Sequence, residues 1–314
     1  MNKNNFIKKF KNLILSGNHR VLNEFCYRHK REVIPYRLYK YTKIDKYTIE
    51  NLAASQVCLN NPRSFNDPFD CWSYKVEAER QLQPSDESLD IIRQVARKLF
   101  NVEISIDELR GTGYIDSLQR ISNVLPIDQR GFFIEKMKAT HESLVQTSHE
   151  GANSLLDNLI RVACFTENPP TKLLMWSHYA DYHKGICLEY DFRNCDDDTY
   201  AMLNPMIYQE NLQNVNGDFK SFEYYYCKVL QTILFKSKEW SYEREWRLVK
   251  SLSIPSSDAV KCFHGLPFLK HIYIGVCADD NDALGIIQYA HSRNISVSKM
   301  CRNDRDFFLH SYPI

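Results

Sequence analysis

The sequence predicts an α+β fold: a mixed, largely antiparallel central sheet flanked by helices, with an all-helical insertion. Three observations point there. Short aromatic-rich or alternating stretches, Arg37–Thr42, Gln56–Leu59 and Ile186–Phe192, read as strands and lie on both sides of a long helical region. Residues 84–160 show helical spacing throughout. Near the C-terminus, HIYIGVC, a helix over about 283–293 and Ile295-Ser296-Val297-Ser298 form a β-α-β pattern.

Composition bounds the function. The chain has 314 residues, with Lys+Arg 40 against Asp+Glu 39, a net charge of +1, 44% apolar and 25% charged residues, as in soluble globular proteins. A near-neutral total argues against a surface devoted wholly to nucleic acid or anionic lipid, so any basic patch must be local. No run approaches the roughly 18 to 20 apolar residues of a membrane span, and MNKNNFIKKFKNLILSG is too polar for a secretory signal. The expected location is the cytoplasm. The closest cysteine pair is Cys187 and Cys195, so CxxC centres are excluded and free thiols expected. GxxxxGK[ST], HExxH and GxSxG are absent, and Asp116 stands where Gly111-Thr112-Gly113 would need a third glycine to complete GxGxxG.

Along the chain, residues 1–35 form a basic arm. Lys3, Lys8, Lys9, Lys11, Arg20, Arg28, Lys30 and Arg31 outnumber Glu24 and Glu32, and Phe6, Ile7, Phe10, Leu13 and Ile14 follow helical spacing. The expectation is a helix docked by its apolar stripe with solvated lysines, nucleic-acid or anionic-lipid contact being the other reading. Residues 36–83 open the α+β core: the strand Arg37–Thr42, a helix over about 45–54, the strand Gln56–Leu59 and a turn platform, Ser64-Phe65-Asn66-Asp67-Pro68-Phe69-Asp70. The insertion, 84–160, begins at a Ser85-Asp86-Glu87 cap, with further helical patterns near 115–124, 127–146 and 152–160.

The second part of the core, 161–314, starts with the buried strand Val162–Thr166. Pro169-Pro170 then suits a first helical turn, opening a helix through Trp176 to about Tyr182, with Gly185 as its stop. Ile186, Leu188, Tyr190 and Phe192 alternate with Cys187, Glu189 and Asp191 as in a half-buried strand, and another strand is expected near Tyr242.

Two segments carry candidate chemistry. On a strand, Glu243, Glu245 and Arg247 share one face while Tyr242, Trp246 and Leu248 take the other. Should that polar face line a cleft, Arg247 keeps one carboxylate ionised while its like-charged neighbour raises the pKa of the other; the plainer reading is a solvated face laced with ion pairs. Met175-Trp176-Ser177-His178-Tyr179 gathers polar aromatic groups on a short helix, as a core cluster or a ligand pocket. Separately, Asp67, Asp70, His178, Glu189 and Glu243 supply the hard ligands a metal-dependent nuclease would use.

The ordered motifs LYKYT, FNDPFD, CFTE, MWSHYADYHKGICLEYDF, KEWSYEREWRLV and IYIG, over about residues 36–276, resemble the bacterial domain-of-unknown-function family 2971 (DUF2971). More distantly, the motif order resembles the ADP-ribosyltransferase fold. That resemblance puts Tyr39-Lys40-Tyr41 at the first position, Thr166 or Tyr179 at the second and Glu243-Arg244-Glu245 at the ExE element, with Lys40 where His or Arg is usual. It implies NAD as co-substrate, no metal, and a nucleic-acid or protein acceptor, as in toxins and defence effectors. Glu245 and Glu243 would be catalytic. Trp176, Tyr179 or Tyr39 would stack on nicotinamide, and Lys40 or His178 would contact ribose or phosphate, with Tyr41, Thr166 and Arg247 completing the cofactor site. A non-catalytic nucleotide-sensing or interaction module is the third reading.

Overall fold

The computed structural model describes residues 1–71, 90, 93, 94, 96–98, 101–109, 119–123, 125–135, 158–212, 222–252 and 261–314. The chain divides into two compact units, Met1–Ser73 with Leu155–Gln213 and Phe219–Ile314, and Tyr74–Ser154 with Asn214–Asp218.

The larger unit holds an α+β fold. Two helices open it, α1 (Lys3–Leu15) and α2 (His19–His29), each N-capped by an asparagine: Asn2 accepts from Asn5 N, and Asn18 from Val21 N. Helix α1 buries Phe6, Phe10 and Ile14, the stripe its spacing predicts. Phe6 stacks on Phe25 at 5.1 Å, and the α1 carbonyl of Ile14 accepts from Gln231 at 3.0 Å. Lys8 and Lys9 are exposed. Lys3 and Lys30 depart from the expectation of solvated lysines. Lys3 pairs with Glu167 and lies over the Trp246 ring; burial lowers its pKa to about 8. Lys30, 2% exposed, donates to the Ala201 carbonyl over the Tyr200 ring, and burial again lowers its pKa to about 8.

There follow β1 (Arg37–Thr42), α3 (Lys46–Ala53, capped by Asp45), β2 (Gln56–Leu59) and β3 (Ile160–Thr166). Ile160 falls at the end of the range predicted to be helical, because its side chain joins the sheet core opposite Ser251. Helix α4 (Leu173–Tyr179) is shorter than predicted: Lys172 is its N-cap, and it ends before three successive left-handed residues, Asp181, Tyr182 and His183. Backbone bonds hold this exit, His183 N to Trp176 O at 3.3 Å and Gly185 N to Ala180 O at 2.8 Å.

The remaining elements are β4 (Ile186–Asp191), α5 (Asp197–Met202), β5 (Leu203–Pro205), β6 (Ile207–Gln209), α6 (Phe222–Leu234), β7 (Phe235–Ser237), β8 (Glu245–Ser251), β9 (Cys262–Gly265), β10 (Leu269–Ile274), α7 (Asp280–Ser292), β11 (Ser296–Arg302) and β12 (Leu309–Pro313). Strand β4 is buried on both faces rather than half-buried, because Glu189 is covered while bonded to Arg37 and Tyr273. Strand β8 starts three residues later than predicted. A 3-10 turn, Lys238–Glu243, and the left-handed Arg244 precede it.

Eight strands form the main sheet in the order β12-β11-β10-β4-β1-β3-β8-β5. Every neighbouring pair is antiparallel except β10–β11, joined through α7 as the C-terminal β-α-β pattern predicts. Strands β2–β9 and β6–β7 form small two-stranded sheets. Among the described residues, no helix is long and apolar enough to cross a membrane.

In the smaller unit the described residues include helical stretches at Ile106–Leu109, 119–123 and 127–135, with Ala96, Ile121, Leu125 and Phe133 buried. Ser105 and Glu108 cap one of them reciprocally, at 2.8 and 3.3 Å. The Ser85-Asp86-Glu87 cap and the segment 136–157 lie outside the described residues.

Candidate functional site

Strand β3 places the site. It pairs with β1 at one position, Tyr39 opposite Thr166, and with β8 along its whole length, Thr166 opposite Glu245. Tyr39, Thr166 and Glu245 therefore form one row across three adjacent strands. Beyond that row β1 and β3 part, and the other half of β3 turns to Asn60, just after β2: Val162 and Asn60 exchange two backbone bonds of 2.8 Å. A cavity of about 300 Å³ opens in the gap. Tyr39, Lys40 and Tyr41 of β1 border it on one side, Val162, Cys164, Phe165 and Thr166 on another, and Ser64, Phe65 and Asn66 of the turn platform on a third. Met175, His178 and Tyr179 of α4 and Lys236, Glu243, Glu245, Arg247 and Asp70 complete it.

The charged floor is a closed network. Arg247, fully buried, donates Nε to Glu245 at 2.6 Å and a fork of two N–H groups to Asp70 at 2.9 and 2.6 Å. It also donates to the Ile233 carbonyl at 2.7 Å, to the second Glu245 oxygen at 3.3 Å and to Cys71 Sγ at 3.3 Å. Lys236 lies 2.7 Å from Glu243, 3.2 Å from Glu245 and 3.5 Å from Asp70, over the Trp240 ring. Three carboxylates thus surround two cations. Burial would raise all three carboxyl pKa values, but Arg247 and Lys236 outweigh it at Asp70 and Glu245 and hold both below the usual range. At Glu243 burial wins over Lys236, aided by repulsion from Glu245, and the pKa is raised. The two glutamates are therefore driven apart in acidity.

Although Glu243 lies outside the strand, the left-handed Arg244 turns the chain between it and Glu245 so that both reach Lys236. The Tyr179 hydroxyl donates to Glu243, and burial followed by the Glu243 charge raises the Tyr179 pKa. Thr166 donates its hydroxyl to the Glu243 carbonyl and accepts from Asn168 N at 2.9 Å. Asn168 in turn donates to the carbonyls of Tyr242 and Glu243 at 2.6 and 3.1 Å, fixing the turn that presents the carboxylate.

The ten residues singled out in the sequence divide by position. Glu243, Glu245, Arg247, Tyr39, Lys40, Tyr41, Thr166, His178 and Tyr179 border the cavity. Trp176 does not: it is fully buried beneath Tyr41, at 5.2 Å, and its indole N–H donates to the Pro170 carbonyl at 2.7 Å. Packing has made it core, which corrects its place among the ring-stacking candidates. Tyr41 spends its hydroxyl on the Pro169 carbonyl at 2.9 Å. His178 is exposed at the mouth, edge-on to Tyr179 and Trp240. Lys40 donates to the Cys164 carbonyl at 3.3 Å over the Phe165 ring, and among the described residues it has no ion pair. Burial lowers its pKa.

Sequence reasoning overlooked Lys236 and Asn168. Lys236 sits in the apolar run Ile233-Leu234-Phe235, where a lone lysine needs a buried counter-charge; that was the available signal. Of the nuclease ligand set, Asp70, His178 and Glu243 border the same cavity, with Asp70 and Glu243 committed to cations, while Glu189 and Asp67 do not line it. Asp70 is forked to Arg247, Glu189 is bonded to Arg37 and Tyr273, and Asp67 caps Phe69 N at 2.9 Å. No group of three metal-holding side chains occurs among the described residues.

No curated protein and no solved structure matches the chain. Residues 175–248 match the model of a family described as protein of unknown function (DUF2971); the matched segment takes in most of α4, both cavity glutamates and Arg247.

Proposed function

We propose that the chain is an ADP-ribosyltransferase-like enzyme that binds NAD in the gap between β1 and β3. It would cleave the bond between nicotinamide and ribose and transfer the ADP-ribosyl group to a nucleic acid or a protein. The supporting observation is the row Tyr39–Thr166–Glu245 beside that gap, which aligns the three motif positions on adjacent strands.

The division of acidity suits the chemistry. As the N-glycosidic bond breaks, its electron pair leaves with nicotinamide and positive charge grows on the ribose. Glu245, held ionised by Arg247 and Lys236, faces that charge from a water-poor floor. Glu243, with its raised pKa, takes the proton released by the attacking acceptor. Tyr39 and Tyr179 offer rings to the nicotinamide, and Lys40 or His178 a donor to ribose or phosphate.

The test is nicotinamide release from NAD in the presence of nucleic-acid and protein acceptors, with folding of each variant checked by urea denaturation. Release that is lost in Glu245→Gln and unaffected by a chelator supports the reading. Saturable NAD binding without turnover would assign a sensor instead, and chelator-sensitive strand cleavage a nuclease.

A further inference from the structure

Two lysines of the larger unit, Lys30 buried and Lys40 half-buried, rest against carbonyl oxygens and aromatic rings in place of carboxylates, and they differ in what they border. Lys30 is sealed by the Ala201 carbonyl and the Tyr200 ring, and lines neither of the two cavities that Lys40 borders. Lys40 borders two. It lies in the wall of the 300 Å³ chamber and also of a groove of about 850 Å³ that shares Tyr41, Asn60, Asn66, His178 and Tyr179 with it. A side chain half-buried between two accessible spaces can meet a ligand from either.

We infer that Lys40 is a nucleophilic amine that forms an imine with an aldehyde or ketone ligand, such as the open-chain form of an aldose. Three features of the cavity favour this. The Lys40 amine has a single hydrogen-bond acceptor, the Cys164 carbonyl at 3.3 Å, and among the described residues no carboxylate at ion-pair distance; the Glu245 charge favours the ammonium, but burial outweighs it. Desolvation therefore favours the neutral form, as the lowered pKa records. The same chamber holds Glu243, whose raised pKa makes it the better proton acceptor of the two glutamates. The step balances: the Nζ lone pair adds to the carbonyl carbon, Glu243 relays the two protons of the neutral amine to the carbonyl oxygen, and that oxygen leaves as water as the C=N bond forms. The three carboxylates stay with Lys236 and Arg247, so Lys40 stands apart from the floor that fixes the fold.

This inference is independent of the dinucleotide reading, because its probe contains no nucleotide. The full chain is incubated at pH 7 with glycolaldehyde and sodium cyanoborohydride, which reduces an imine to a stable secondary amine, and modified lysines are located by peptide mass spectrometry. Each unit of pKa depression gives about tenfold more free amine at fixed pH. Lys40 is therefore expected to be labelled faster than exposed Lys8 and Lys9, with Lys30 protected, and Lys40→Arg should abolish the fast label while the surface labels persist. Labelling of Lys40 no faster than Lys8 and Lys9, or a fast label that survives Lys40→Arg, overturns the inference. Loss of NAD chemistry with the fast label intact would sink the transferase reading alone.

Discussion

Arg247 and Asp70 stand 177 residues apart and meet as a fork, each guanidinium N–H on its own carboxylate oxygen, at 2.9 and 2.6 Å with both groups buried. The pair fastens the turn platform to β8. Asp70→Asn removes the charge of the fork while Arg247 keeps its pair with Glu245, so it is expected to cost about 1.5–3 kcal/mol. Urea denaturation would check it. Because the two groups interact directly, the double replacement Asp70→Leu/Arg247→Met should cost less than the sum of the single changes.

The carboxylates of the floor respond to pH in opposite senses. Asp70 and Glu245 have folded pKa values below their unfolded ones, so their stabilisation is present above about pH 4 and lost as pH falls through the folded values. Glu243 has a raised folded pKa, so its contribution is full below about pH 4 and lost as pH rises through the folded value. Glu243→Gln removes that second dependence. The stability of the variant relative to the parent should rise with pH above about 4 and then level; a flat difference in urea midpoints between pH 4 and pH 8 would contradict the assignment.

The same residues show what the sequence could reveal. The early strands, the C-terminal β-α-β unit and the α1 stripe were legible because each is a local periodicity in which burial follows the repeat. The pairing of Glu243 with Glu245 was legible in outcome but for the wrong geometric reason. A strand would have placed both on one face; instead a left-handed Arg244 between them does so, and nothing in a single arginine advertises a positive φ. Trp176 was misplaced because a tryptophan beside histidine and tyrosine looks the same whether it lines a pocket or closes one. The long-range partners were invisible for a simpler reason: Asp70, Lys236 and Arg247 are brought together by the tertiary fold, and no spacing rule reaches across it.

Gly185 needs its missing side chain for close packing. A Cβ there would collide with the Thr42 carbonyl oxygen and lie 3.0 Å from that of Ala180, both backbone atoms with little freedom to retreat. Gly185→Ala is expected to destabilise by about 1–3 kcal/mol, read from a denaturant midpoint. Gly265→Ala, where a Cβ meets nothing within 4 Å, should cost less than Gly185→Ala.

Helix α1 separates apolar from charged contributions within one segment. Phe10, 1% exposed and stacked on Phe6 at 5.6 Å, loses its whole ring in Phe10→Ala, at an expected cost of about 3–5 kcal/mol. Lys8→Gln and Lys9→Gln alter exposed side chains and should stay within about 0.5 kcal/mol of the parent. Comparable losses from both kinds of change in urea denaturation would show that the lysines hold the helix as well.

Tyr179 tests the acidity of Glu243 from the other side. Its hydroxyl donates to the Glu243 carboxylate, a bond that helps hold that pKa down against burial. Tyr179→Phe removes the donor and leaves Lys236, among the described residues, donating to that carboxylate. A buried hydrogen bond to a charged group contributes about 1.5–3 kcal/mol, so the variant should lose about that much while Glu243 is ionised and less once it is protonated. The loss should therefore shrink as pH falls, and the Glu243 titration followed by carboxyl NMR should move upward. A loss independent of pH would mean that the hydroxyl stabilises something other than the ionised carboxylate.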